Sequence, residues 1–273
     1  MTINTIRTAV LLMFLSTILI SIGYIIKGTT GALISFIMAL SIVTLLCMYS
    51  DRLILKMYNA KPAKEKDYAL YYKIIDKLTK RADIKPPKLY IIDSTAPNAF
   101  TTGRNKNNTT LVVTKGLLQI CNDKELECVL AHELGHIKNN DIMLMSITGA
   151  IAGAISYLGE LVIWTTMPSD NIRHPLSAIP LIILAPFSAM IMHLSMSTDR
   201  VYNADRFSTS ITDKSKDLVS AIEKISREVK YRPIKGLIHG TAHMFFINPL
   251  TGNFSTMLCT HPQLKNRIQR LEK

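Results

Sequence analysis

Two uncharged apolar runs at the start of the chain restrict its folding more than any other feature. Residues 8–26, from Thr8 to Ile26, and residues 31–49, from Gly31 to Tyr49, carry no charged side chain. A membrane-spanning helix needs roughly 20 apolar residues. In lipid every main-chain N–H and C=O must be satisfied within the segment, so such runs are expected to be helical. The two are joined by Lys27-Gly28-Thr29-Thr30, which is short enough to make a membrane hairpin. A signal peptide is the weaker reading, because no small-residue cleavage site follows the first run and the second begins at once.

Two further apolar stretches lie at residues 142–164 and 175–197. The first is interrupted only by Glu160, and the second contains Pro180, Pro186 and His193. Their length favours spans over buried core helices. The composition agrees: 48% of the 273 residues are hydrophobic, and the mean hydropathy is +0.21. The net charge of +12 does not require nucleic acid. Arg52, Lys56, Lys61, Lys64 and Lys66 flank the second run, which places the following block on the cytoplasmic side. Four spans return the tail to that same side. Cys47, Cys121, Cys128 and Cys259 show neither disulfide nor zinc-finger spacing.

The expected organisation is a membrane hairpin over 1–50 and a cytoplasmic block over 51–141. A second hairpin over 142–197 and a cytoplasmic helical block over 198–273 complete it. The fold class is α+β: a mostly helical integral membrane protein whose polar blocks build one domain with a small sheet. An amphipathic helix is expected over 64–82. Strands are expected over Lys88–Asp93, Asn98–Gly103 and Thr109–Thr114, and further helices over 123–139, 215–230 and 262–271.

The chemistry centres on His132-Glu133-Leu134-Gly135-His136. Residues four apart share a helix face, with Cβ atoms roughly 5–6 Å apart, so two imidazoles can grip one metal ion. Glu133 is placed to act on a metal-bound water as general base. The bare motif is also compatible with two ordinary surface histidines. Its surroundings argue for a real helix: Asn122 followed by Glu125 forms a capping box, and Leu126, Val129, Leu130, Leu134 and Ile137 make an apolar stripe. Cys128, one turn before His132, reads as a small buried residue or a third soft ligand.

These residues, in this order and with four apolar stretches around them, resemble the HtpX family of membrane-embedded zinc metalloproteases, relatives of the CAAX prenyl endopeptidases. The resemblance covers almost the whole chain. It rests on the segments Ile92 to Gly103, Ala131 to Asn139, Ala242 to Leu250 and Thr260-His261-Pro262. It implies a gluzincin-like cytoplasmic domain with one zinc ion. His132 and His136 would be ligands and Glu133 the catalytic base. Asp205 would be a partner of a ligand histidine. Asn98, Ala99 and Phe100 would form an edge strand binding substrate main chain by β-augmentation. His261 and His243, with His239 less clearly, would be candidate donors to the transition state. The implied substrates are unfolded or membrane proteins, in quality control under stress. The implied home is a bilayer, as a multi-pass protein of a bacterial inner membrane or an archaeal plasma membrane.

One position departs from the family pattern. The third-ligand motif is similar to Arg-Glu-Phe/Tyr-x-Ala-Asp, whereas this chain reads Arg200-Val201-Tyr202-Asn203-Ala204-Asp205. Valine offers no lone pair, and a catalytic zinc takes three protein ligands and an open position. Zinc binding is expected to be weakened and the activity impaired or lost. Three readings stay open here: an introduced substitution, a natural pseudoprotease that keeps its peptide groove, or a replacement carboxylate from Asp205 or Asp199.

Overall fold

The computed structural model describes residues 3–166, 190–193, 197–234, 236–250 and 261–272. It opens with one long helical element, α1 (Ile3–Met57), broken at Lys27 and Gly28. Gly28 takes φ 56° and ψ −142°, a backbone state that side-chain-bearing residues rarely adopt. Past the break the chain packs back on itself. A Cβ on Gly23 or on Gly31 would collide with the main chain of the other, so the hairpin closes through glycine. Among the described residues α1 is the one helix long and apolar enough to cross a membrane. Its large apolar side chains point outward, with Ile25 82% and Ile26 77% exposed.

The third apolar stretch becomes α5 (Ile142–Thr166), and its first half differs from a lipid-facing span. Leu144, Ile147 and Ala152 are fully buried within the protein. Close packing explains this. A Cβ on Gly149 would meet Met244 Sδ at 2.6 Å, and one on Gly153 would meet Met57 Cε at 2.9 Å. An apolar run satisfies lipid and protein neighbours equally, and small residues along one face let this half pack closely on α1 and on the segment that carries Met244. The stretch 175–197 lies largely outside the described residues, as does the side chain of Glu160.

The sheet has four strands: β1 (Lys61–Pro62), β2 (Lys88–Ile92), β3 (Ala99–Asn105) and β4 (Asn108–Thr114), in the order β1-β2-β4-β3. The pair β2/β4 is parallel, and β3/β4 is an antiparallel hairpin. Asn105 closes its turn, with Oδ1 accepting from the N–H groups of Asn107 and Asn108 at 2.9 and 3.0 Å. The two-residue β1 is too short to show as alternation in the sequence. At the other end, β3 is an edge strand.

Against this sheet pack α2 (Ala69–Ala82) and, after the short α3 (Lys115–Ile120), the motif helix α4 (Asp123–Lys138). The capping box forms on α4: Asn122 Oδ1 accepts from Glu125 N at 2.9 Å, and Glu125 Oε2 accepts from Asn122 N at 2.9 Å. Leu126, Val129, Leu130, Leu134 and Ile137 are all buried in one cluster with α2, β4 and α7 (Ser215–Tyr231). Between α5 and α7 runs α6 (Asp199–Thr212), which crosses α4 closely. A 3₁₀ turn over His239–Met244 lies against α5, and α8 (Leu264–Leu271) ends the chain.

Candidate active site

The crossing of α4 and α6 builds the site. A Cβ on Gly135 would lie 3.0 Å from Ala204 Cα, so only glycine lets the two backbones approach this far. The register is antiparallel: Ser208 Oγ donates to the Cys128 carbonyl at 2.7 Å, while Asp205 meets His132. His132 and His136 face each other with ring centroids 4.9 Å apart and an interplanar angle of 85°. Both are buried.

Each imidazole is fixed from behind by a carboxylate. His132 Nδ1 is 2.8 Å from Asp205 Oδ1, and His136 Nδ1 is 2.8 Å from Asp141 Oδ2. A ring that donates its Nδ1–H to a carboxylate presents the Nε2 lone pair, which is how histidine is set up to ligate a metal. Burial pushes the His132 imidazole far below its usual range, against the pull of Asp205. Asp205 is lowered too: burial works the other way, but Arg267 and His132 outweigh it.

The two carboxylates are held by residues from opposite ends of the chain. Arg267 on α8 donates from Nε to Asp205 Oδ2 at 2.6 Å and from Nη2 to Oδ1 at 2.8 Å. Its Nη1 donates to the Phe246 carbonyl at 2.9 Å, and its guanidinium sits 4.5 Å above the Phe246 ring. On the other side, Asn4 Nδ2 donates to Asp141 Oδ1 at 2.6 Å. Asp141 reaches His136 because Asn140 takes a left-handed φ of 59° just after α4 and turns the chain back.

Glu133 is fully buried. Thr101 Oγ1 donates to its Oε2 at 2.9 Å, and its Oε1 has no hydrogen-bond partner among the described residues. Burial raises the carboxyl above its ordinary range, with His136, Thr101 and Arg267 offsetting part of that. A carboxyl raised in this way is suited to taking and returning a proton.

Among the described residues the donor set stops at two. The position where the family pattern sets the third donor holds the buried Val201, on the helix that crosses α4. Both oxygens of Asp205 are engaged behind His132, and Asp199 faces outward. Cys128 lies against Thr212 and the Lys214 carbonyl, and burial pushes its thiol up to about 11. Among the described residues no group of three His, Cys, Asp or Glu side chains comes together to hold a metal. The described residues therefore fit two corners of a zinc site and do not complete it. Next to Val201 in sequence, Arg200 is buried, and its Nε and Nη1 have no hydrogen-bond partner among the described residues.

Asn98 and the edge strand from Ala99 to Gly103 are buried, which alters the expectation for Asn98, Ala99 and Phe100. Asn98 Nδ2 donates to the Ile247 carbonyl at 2.7 Å, and its Oδ1 accepts from Ile247 N at 3.1 Å. Phe246 N donates to the Ala99 carbonyl at 2.8 Å, and Phe100 bridges Phe245. The chain's own segment thus lies along the start of β3. Since Thr114 N donates to the Asn98 carbonyl, alternation turns the main-chain groups of residues 99, 101 and 103 away from β4. Gly103 N donates to Ser146 Oγ at 3.0 Å. The groups of Thr101 lie between these two anchored positions, on the residue whose side chain holds Glu133.

Neither expected histidine donor is poised for an oxyanion. His261 Nε2 donates to the Phe245 carbonyl at 2.7 Å. His243 has both ring nitrogens at carbonyl oxygens, Gly240 at 3.1 Å and Met145 at 3.3 Å. Burial first, then nearby cations, lower His243 to about 3 and His261 to about 4, so both are neutral. Asp141, Asn4 and Arg267 are site residues that sequence reasoning did not single out, and Thr101 was placed in the expected strand without a role toward Glu133. Of the three, only Asp141, five residues past His136, stood close enough to the motif to be found.

The model of peptidase family M48 matches residues 68–273. The chain is 39% identical over 274 residues to a protein named "Protease HtpX homolog" from Pyrococcus abyssi, covering 98% of this chain and 95% of the relative. It is 40% identical over 276 residues to a "Protease HtpX homolog" from Thermococcus sibiricus, covering 98% and 94%. The crystal structure of S. mikatae Ste24p superposes with a TM-score of 0.51 at 18% identity. That match covers 99% of this chain but 65% of Ste24p, and it shows likeness of fold alone.

Proposed function

The chain belongs to peptidase family M48, among the HtpX-type proteases, and from that premise we propose that it is a membrane metallopeptidase whose zinc site lacks one donor. In this reading zinc is held weakly by His132 and His136, Glu133 is the general base, and hydrolysis is impaired because position 201 is valine. The protein crosses the bilayer four times, with both polar blocks on the cytoplasmic side. Its substrates are unfolded or membrane proteins, taken in extended form along β3 for quality control.

One observation carries the proposal. A carboxylate stands behind each of the two histidine rings, while the sequence position of the family's third donor holds the buried Val201. A second reading, a peptide-binding protein that does not cleave, draws on the valine at the family's third-donor position. Cleavage of casein in detergent by the purified chain and by Val201→Glu separates them. The proposal expects the substituted protein to cleave and the parent to be slower by orders of magnitude. Equal and absent cleavage in both favours the peptide-binding reading.

A further inference from the structure

We infer that Asn4, in the first turn of α1, is a positioning residue for His136, so that the N-terminal membrane segment forms part of the metal-binding machinery. This rests on the reading of His136 as a metal ligand. Asn4 is separated from Asp141 by 137 residues in sequence, yet its Nδ2 donates to Asp141 Oδ1 at 2.6 Å. The other oxygen of the same carboxylate is 2.8 Å from His136 Nδ1. Asn4, Asp141 and His136 are 6%, 1% and 4% exposed.

The chemistry of the relay follows from these contacts. A carboxylate with one bound oxygen can rotate about its Cβ–Cγ bond. With Asn4 on the second oxygen, Asp141 is locked in the plane that accepts Nδ1–H from His136. That selects the tautomer whose Nε2 lone pair is free for a metal. Asn4 Nδ2 also lies 3.4 Å from the Asn139 carbonyl, in the turn that carries Asp141. Thr8 Oγ1 donates to the Asn4 carbonyl at 2.8 Å and stiffens the helix turn that presents the amide.

The two carboxylates have different hydrogen-bond partners. Asp205 is bonded by the cation Arg267; Asp141 is bonded by a neutral amide, with the buried cation Arg200 attracting it. The amide orients the carboxylate. It also makes His136 depend on the seating of α1 against the α4–α5 junction, whereas His132 depends on α8.

The test uses the full-length chain in detergent, carrying Val201→Glu, with Asn4→Leu, Asn4→Gln and, as control, Asp141→Asn. Zinc affinity is read by competition with a chelating indicator. The imidazole tautomers are read by nitrogen NMR on histidine-labelled, metal-free protein. Asn4→Leu is expected to weaken zinc binding about tenfold and to move His136, but not His132, toward the Nε2–H form. Asn4→Gln should restore most of both. If Asn4→Leu leaves zinc affinity and the His136 tautomer as in the parent while Asp141→Asn shifts them, the inference is overturned. Should Asn4→Leu not fold, Asn4→Ser shortens the reach without adding bulk, and an unchanged His136 tautomer there overturns it equally. If no variant binds zinc, the metal-site reading fails, and the metal-free spectra still decide for or against Asn4.

Discussion

His132 Nδ1 lies 2.8 Å from Asp205 Oδ1, and this contact links the motif helix to α6 at its closest crossing. Asp205 is itself clamped by two nitrogens of Arg267. Partners behind a ligand histidine typically control about 10- to 100-fold in metal affinity. Asp205→Asn in the Val201→Glu protein should therefore weaken zinc binding by that order, as measured by indicator competition. Arg267→Met should do the same and also destabilise the fold, since it strands a buried carboxylate.

Thr101→Val removes the hydroxyl that holds Glu133 Oε2. Losing one donor to a buried polar group costs on the order of 1–3 kcal/mol. The ionised form of Glu133 should become harder to reach. The acidic limb of the cleavage profile of the Val201→Glu protein should move to higher pH on this substitution. An unmoved limb with full activity would show that Thr101 does not tune Glu133.

Three buried imidazoles make the fold acid-sensitive. His132 and His243 are lowered to about 3 and His261 to about 4, each chiefly by burial. An unfolded histidine titrates near 6.5, so below that pH the unfolded state binds protons that the native state refuses. Stability is then kept above about pH 6.5 and lost as the pH falls toward 4. Each histidine contributes about 2 kcal/mol of that loss between pH 7 and 5. Thermal melts should drop steeply across this window, and His243→Asn should flatten the drop.

Arg200 is buried with two guanidinium nitrogens unpartnered among the described residues, and burial lowers it to about 10. An unsatisfied buried donor costs about 1–3 kcal/mol, so Arg200→Met should raise the melting temperature of the metal-free protein. A lower melting temperature would mean that its attraction to Asp141 outweighs its desolvation.

Much of this site was legible before the structure. The capping box at Asn122 and Glu125, the apolar stripe of α4 and the H-E-x-x-H spacing are local, and local patterns survive folding unchanged. The strands around Tyr90, Phe100 and Val112 show the same directness. What was not legible depends on distant contacts. Nothing near Asn4 signals a partner 137 residues away, and nothing near Phe246 signals that it covers the Ala99 carbonyl. The burial of α5 was hidden for another reason: Leu144 and Ile147 would be equally at home in lipid, and hydropathy cannot tell which of the two solvates them.

The most direct test of the account is zinc per chain, measured after dialysis against low free zinc, for this protein and for Val201→Glu. The account predicts close to one zinc per chain in the substituted protein and a small fraction of that in the parent. Full zinc in the parent would contradict it, because two histidines and a valine would then suffice.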